Sequence, residues 1–141
     1  MPVVEASGVT KVYGSGDSMV EALAGVDISV PKGQFLAVMG PSGSGKSTLM
    51  HIMAGLDRPT AGRVAIDGTD IGGLKDRQLT LLRREKVGFV FQFFNLLPML
   101  SAEENILLPE TIAGRKPDRE WLAALVDQMG LADRLDRKSV V

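Results

Sequence analysis

The residues best suited to chemistry lie in one stretch, Gly40-Pro41-Ser42-Gly43-Ser44-Gly45-Lys46-Ser47-Thr48. Gly40, Gly45, Lys46 and Ser47 satisfy the spacing G-x-x-x-x-G-K-[ST], the pattern of a loop that wraps its backbone N–H groups around phosphate oxygens. Such a loop needs side chains absent where it bends hardest, and Gly43 and Gly45 permit that. The helix that follows begins at the phosphates, so its free N–H groups and positive dipole end face the anion. In this pattern the Lys46 ammonium faces the β- and γ-phosphates, and the Ser47 hydroxyl is a ligand for Mg²⁺. The candidate nucleotide-binding residues are therefore Gly40, Ser42, Gly43, Ser44, Gly45, Lys46, Ser47 and Thr48. A plain glycine-rich turn between a strand and a helix would match the same spacing. The required context, a buried-type strand before and a helix after, favours the phosphate loop.

The elements that must position this loop read as an α/β arrangement. Phe35 to Gly40, "FLAVMG", is a continuous apolar run, as expected of a strand buried on both faces. Lys46 to Ala54 reads as a helix stopped by Gly55. Upstream, Val26, Ile28 and Val30 alternate with Asp27 and Ser29 in a half-buried strand that ends at Pro31 and Gly33. Downstream, "GRVAIDG" is a short strand, and residues 76–85 form a helix with Leu79 and Leu82 on one face. Val87 to Phe91, "VGFVF", reads as a second buried strand. Ser101 and Glu104 have the spacing of a capping box. Pro117 opens a last helix, closed by Gly130, whose apolar stripe is Trp121, Leu122, Leu125, Val126 and Met129.

Composition narrows the class. The 141 residues suit one domain, and 45% hydrophobic residues suffice for a core. A net charge of −1 gives no electrostatic case for nucleic acid or an anionic surface. The chain contains no cysteine, which excludes disulfides and thiolate metal sites. The first ten residues lack the pattern of a secretory signal, and no apolar run is long enough to span a bilayer. An association with a membrane would therefore go through a partner.

Among phosphate-loop proteins, a GTPase is disfavoured. Its guanine-reading Asn-Lys-x-Asp is missing, since Asn95 and Asn105 precede Leu96 and Ile106. Three stretches then act together with the glycine loop: "KVYGSG" with Tyr13, "GLDRPTAGRVAIDG", and "VGFVFQFFNLLPMLSAEENILLP". As a set they resemble the ATP-binding subunit of an ABC transporter, and the last stretch resembles the lipoprotein-release and macrolide-export subgroup. The resemblance implies a P-loop NTPase fold of the ABC nucleotide-binding type, truncated, with an N-terminal β-rich part and the start of a helical subdomain. It implies ATP and Mg²⁺ as ligands, a transmembrane transporter subunit as partner, and a homodimer of nucleotide-binding domains at full length. It also implies a cytoplasmic position, peripheral at the inner face of the membrane. Tyr13 resembles the aromatic residue that stacks on adenine; from the residue alone, a tyrosine packed at a sheet edge is an equal reading. Gln92 resembles the Q-loop glutamine, whose amide reaches Mg²⁺ or the attacking water. Phe93, Phe94, Leu96, Leu97 and Leu100 divide between a core role and a surface that receives a helix of the membrane subunit. His51, the single histidine, is a surface or packing residue of the phosphate-loop helix.

The resemblance assigns residues 1–135 to an incomplete ABC nucleotide-binding domain. The P-loop is 40–48, the Q-loop region 92–98 and the helical subdomain about 101–135. The family's four apolar residues followed by Asp-Glu do not occur in the chain. The nearest match, Asp127 after Ala123 to Val126, is followed by Gln128 and sits among residues at helical spacing. The Leu-Ser-Gly-Gly-Gln signature and a later switch histidine are also not found. ATP hydrolysis is thus expected of the family and not of these residues alone. Residues 136–141, "DRKSVV", read as a non-native tail. A short-read sequencing adapter, GATCGGAAGAGCGTCGTGTAG, translates to these six residues and a stop. Two other readings stand beside the ABC subunit: a self-sufficient nucleotide-binding regulatory module that does not hydrolyse, and another P-loop enzyme such as a small-molecule kinase.

Overall fold

A computed structural model of the 141-residue chain describes residues 1–93 and 95–138. Phe94 of the Q-loop region and Ser139, Val140 and Val141 of the expected tail lie outside the described residues. The chain divides into two compact units, Met1–Phe89 and Val90–Val141.

The first unit is built on a four-stranded antiparallel sheet in the order β2-β1-β3-β4. The strands are β1 (Pro2–Tyr13), β2 (Val20–Pro31), β3 (Ala61–Ile66) and β4 (Thr69–Asp70). The alternation of Val26, Ile28 and Val30 holds, each half-buried between exposed neighbours. Helix α1 (Lys46–Met53) packs one face on this sheet. Its Leu49 and Ile52 join Ala6, Val9, Leu23, Val64 and Ile66 in one apolar cluster. Helix α2 (Asp76–Lys86) adds Leu79 to the cluster, with Leu82 packed against it. The two leucines lie three residues apart and so share a helix face.

Two expected strands do not form. Phe35 to Gly40 belongs to no ladder among the described residues, and Phe35 and Met39 are 93% and 88% exposed. Leu36 and Val38, on the alternate positions, line a trough of about 650 Å³ with Val4, Met53, Ile66 and Phe89. The physical reason is pairing. A strand exists only when a neighbour takes its backbone N–H and C=O groups. Among the described residues, no segment runs beside this one to do so. Val87 to Phe91 likewise takes no part in the sheet, and Val90 is 95% exposed. The observed sheet is the antiparallel one, and the apolar runs lie outside it.

The second unit holds α3 (Ala102–Ala113) and α4 (Arg119–Gln128). The capping box is present: Ser101 Oγ accepts from Glu104 N at 3.2 Å, and Glu104 Oε2 accepts from Ser101 N at 2.7 Å. Asp118, one residue after Pro117, caps α4 by accepting from the amides of Glu120 and Trp121. Only part of the expected stripe is buried. Leu122 and Val126 are 5% exposed, whereas Trp121 and Met129 are 62% and 55% exposed. The stripe proposed from sequence is wider than the face that packs. Asp127 lies in α4, as its helical spacing indicated. Residues of the tail also have a structural part: the Arg137 carbonyl accepts from the Ala102 amide at 2.9 Å, and Lys138 bridges Ser101. The Leu135 carbonyl accepts from Glu103 N at 3.0 Å. These carbonyls satisfy amides that the first turn of a helix leaves without intrahelical acceptors.

Candidate functional site

The candidate phosphate loop, 40–48, joins the apolar run 35–39 to α1. Gly43 and Gly45 have φ of 79° and 85°, in the left-handed region that a side chain resists. Gly45 is also the N-cap of α1, and its Cα is pressed against β2. A Cβ there would lie 2.4 Å from the Ala22 carbonyl oxygen and 3.1 Å from Leu23 Cδ2. At Gly40, a Cβ would lie 2.7 Å from Ser44 Oγ. The loop is therefore compact because three of its positions lack side chains.

Within it, Lys46 Nζ donates to the carbonyls of Gly40 at 2.9 Å and Pro41 at 2.6 Å, and lies 3.4 Å from Ser44 Oγ. The lysine thus folds back over its own loop. The first bond of α1 runs from Leu49 N to the Gly45 carbonyl. The amides of Gly43, Gly45, Lys46, Ser47 and Thr48 have no protein acceptor among the described residues. Ser42, Gly43, Ser44 and Ser47 are exposed, and Thr48 is half-buried. Unclaimed donors, a helix N-terminus and one ammonium make a cradle that fits the phosphates of a nucleotide.

Tyr13 ends β1 opposite Val20 of β2. Ala22, two residues on, is the residue pressed against Gly45. The tyrosine and the loop thus share one end of the sheet, about 7 Å apart along β2 at the usual strand rise. The ring is 43% exposed. Its hydroxyl donates to Asp57 Oδ2 at 2.9 Å, and Lys11 Nζ stands 4.8 Å from the ring centroid. Lys11 also pairs with Asp57 Oδ1 at 2.8 Å and donates to the Arg58 carbonyl at 2.7 Å. The Lys11 ammonium is the main reason the Asp57 carboxyl lies below its ordinary value, with the Tyr13 hydroxyl and the Arg58 amide assisting and burial opposing. Sequence reasoning missed Lys11 and Asp57. Lys11 had one signal, since it shares the strand face of Tyr13 at a spacing of two. Asp57 had none, being 44 residues from Tyr13.

Gln92 is the third residue of the second unit and is exposed. After it, Asn95 adopts φ of 50°. Asn105, for which the sequence suggested no structural role, holds the segment that follows. Its Oδ1 accepts from Leu97 N at 2.8 Å, and its Nδ2 donates among the carbonyls of Leu97, Leu100 and Ser101 at 3.0–3.3 Å. Phe93, Leu96 and Leu97 are exposed at 75%, 50% and 41%. His51 is an exposed residue of α1 whose ring lies 5.7 Å from that of Phe89. No group of three or more His, Cys, Asp or Glu residues fit to hold a metal ion is found among the described residues.

The family model described as ABC transporter matches residues 23–140. The chain belongs to the ABC transporter family. It is 47% identical over 139 residues to the macrolide export ATP-binding/permease protein MacB of Hyphomonas neptunium, covering 97% of this chain and 22% of that protein. It is 45% identical to the lipoprotein-releasing system ATP-binding protein LolD of Alcanivorax borkumensis, covering 97% of this chain and 61% of the relative. Among solved structures it resembles the dimeric post-hydrolysis state of the ATP-binding cassette MJ0796 bound to ADP and Pi. That match has a TM-score of 0.84 and 39% identity, covering 96% of this chain and 61% of the other. This ABC chain therefore spans about three fifths or less of the length of these relatives. The fold expected from the resemblance, an ABC-type P-loop NTPase, is the one found. None of its described helices is long and apolar enough to cross a membrane.

Proposed function

We propose that this chain is the ATP-binding part of an ABC transporter of the lipoprotein-release or macrolide-export type. The observation that carries the reading is the cradle at 40–48: five backbone N–H groups without protein acceptors among the described residues, in the loop that Lys46 Nζ folds back over at the start of α1. On this reading, those amides and Lys46 bind the phosphates of ATP, Ser47 supplies an oxygen to Mg²⁺, and Gln92 is the Q-loop glutamine. The metal neutralises phosphate charge when bound. Tyr13 stacks on adenine, a contact of about 1–3 kcal/mol that tolerates base identity. The exposed Phe93, Leu96 and Leu97 face a transmembrane partner at the inner side of the membrane, and two cassettes pair as in the dimeric relative. Support for the partner and the dimer comes from the relatives' names and from the dimeric MJ0796 cassette.

Isothermal titration of Lys46→Ala with MgATP tests the reading. Hydrogen bonds to charged groups contribute about 1.5–3 kcal/mol, so affinity falls at least about tenfold. Unchanged affinity overturns the assignment. We infer further that the 141 residues bind ATP without turning it over, because the acid nearest in pattern to a Mg²⁺ ligand, Asp127, is a residue of α4. Steady Lys46-dependent phosphate release would refute that.

A further inference from the structure

We propose that Asp57, held by Lys11, is a positioning residue for the nucleotide base: it sets the Tyr13 ring through its hydroxyl. The inference rests on the preceding reading that Tyr13 stacks on adenine, and adds the residues that orient the platform and the face it offers. The Tyr13 hydroxyl donates to one carboxylate oxygen of Asp57 at 2.9 Å, and Lys11 donates to the other at 2.8 Å. The Lys11 ammonium reaches back 4.8 Å from the centroid of the same ring, close enough for a cation–π contact. Three side chains thus close a ring of contacts.

The backbone under Asp57 is also fixed. Thr60 N donates to the Thr10 carbonyl at 2.9 Å, and Thr60 Oγ1 accepts from Val12 N at 3.0 Å. Segment 57–60 is therefore tied along the end of β1. A tyrosine ring has two soft torsions, and an anchored hydroxyl removes most of their freedom before a base arrives, which lowers the ordering cost of binding. Lys11 holds one ring face, so the base stacks on the other.

The test compares MgATP with inorganic triphosphate, which has the phosphates and no base, on the 141-residue chain. Tyr13→Phe keeps the ring and deletes the hydroxyl; Asp57→Ala deletes its acceptor. Each weakens ATP binding roughly three- to tenfold, the span of one net hydrogen bond. The double variant is no weaker than the weaker single, because both remove the same bond. Triphosphate affinity stays at the wild-type value in all three. Because Tyr13 is the single tyrosine, 3-fluorotyrosine labelling yields one fluorine resonance, and Asp57→Ala moves it before any ligand is added. Wild-type ATP affinity in Tyr13→Phe and Asp57→Ala, with a loss in Tyr13→Ala, overturns the role of Asp57 and leaves the stacking reading intact. Unchanged affinity in Tyr13→Ala overturns both. A parallel loss of triphosphate binding in Asp57→Ala also overturns the proposal, since that marks a general structural role. If Asp57→Ala does not fold, Tyr13→Phe alone carries the same comparison.

Discussion

The Ala22 carbonyl oxygen lies where a Cβ on Gly45 would stand, at 2.4 Å. The N-terminus of α1 can reach its place only if residue 45 has no side chain, and the φ of 85° demands the same. Gly45→Ala therefore meets two penalties. The left-handed backbone costs about 1–2 kcal/mol, and the displaced β2 carbonyl adds to it, so thermal unfolding should show a loss of at least about 2 kcal/mol. A variant as stable as the wild type would mean that β2 and the loop are not in contact.

The Asp57 carboxyl is held below 3.8, chiefly by the Lys11 ammonium. A lowered carboxylate contributes stability that is complete above its unfolded value, about pH 4, and is lost as pH falls toward its folded value. Urea unfolding of the wild type and Lys11→Met from pH 6 to pH 3 reads this directly. Lys11→Met should be the less stable at pH 6, and the difference should narrow below about pH 4. A difference that stays constant over the whole range counts against the ion pair.

Asn105 holds Leu97 N, and shares its amide hydrogens among three carbonyls of the preceding loop. Asn105→Ala should cost about 1–2 kcal/mol, because two of the four bonds are exposed and water can partly satisfy their groups. Its sharper signature is local. The Leu97 amide should exchange with solvent much faster, while amides in the interior of α4 change only by the global loss. Uniform change across the unit would contradict a local clasp.

Phe35 and Met39 are almost fully exposed on a backbone run that no strand among the described residues covers. Exposed apolar residues on an unpaired segment favour association. The apparent mass of the 141-residue chain from light scattering should rise with concentration, and Phe35→Lys with Met39→Lys should reduce that rise. A monodisperse monomer at tens of micromolar would show that these side chains find cover in solution.

Local rules were enough for much of this chain. The glycine-lysine spacing foretold the local backbone because each position answers to a backbone need: left-handed φ at Gly43 and Gly45, a helix start at Lys46. The α3 capping box, the alternation of Val26, Ile28 and Val30, and the helical place of Asp127 were legible for the same reason, since each depends on residues a few positions apart. Tertiary structure alone decided the rest. Whether "FLAVMG" and "VGFVF" become strands depends on a neighbour's backbone groups, and apolar composition says nothing about whether one is there. Trp121 looks as apolar as Leu122 in the sequence, yet only the packing separates the exposed residue from the buried one. The contact of Tyr13 with Asp57 spans 44 residues and arises because the turn after α1 returns along the end of β1. Hydrogen bonds and side-chain packing act through space, so pairs formed across such distances carry no mark in local spacing.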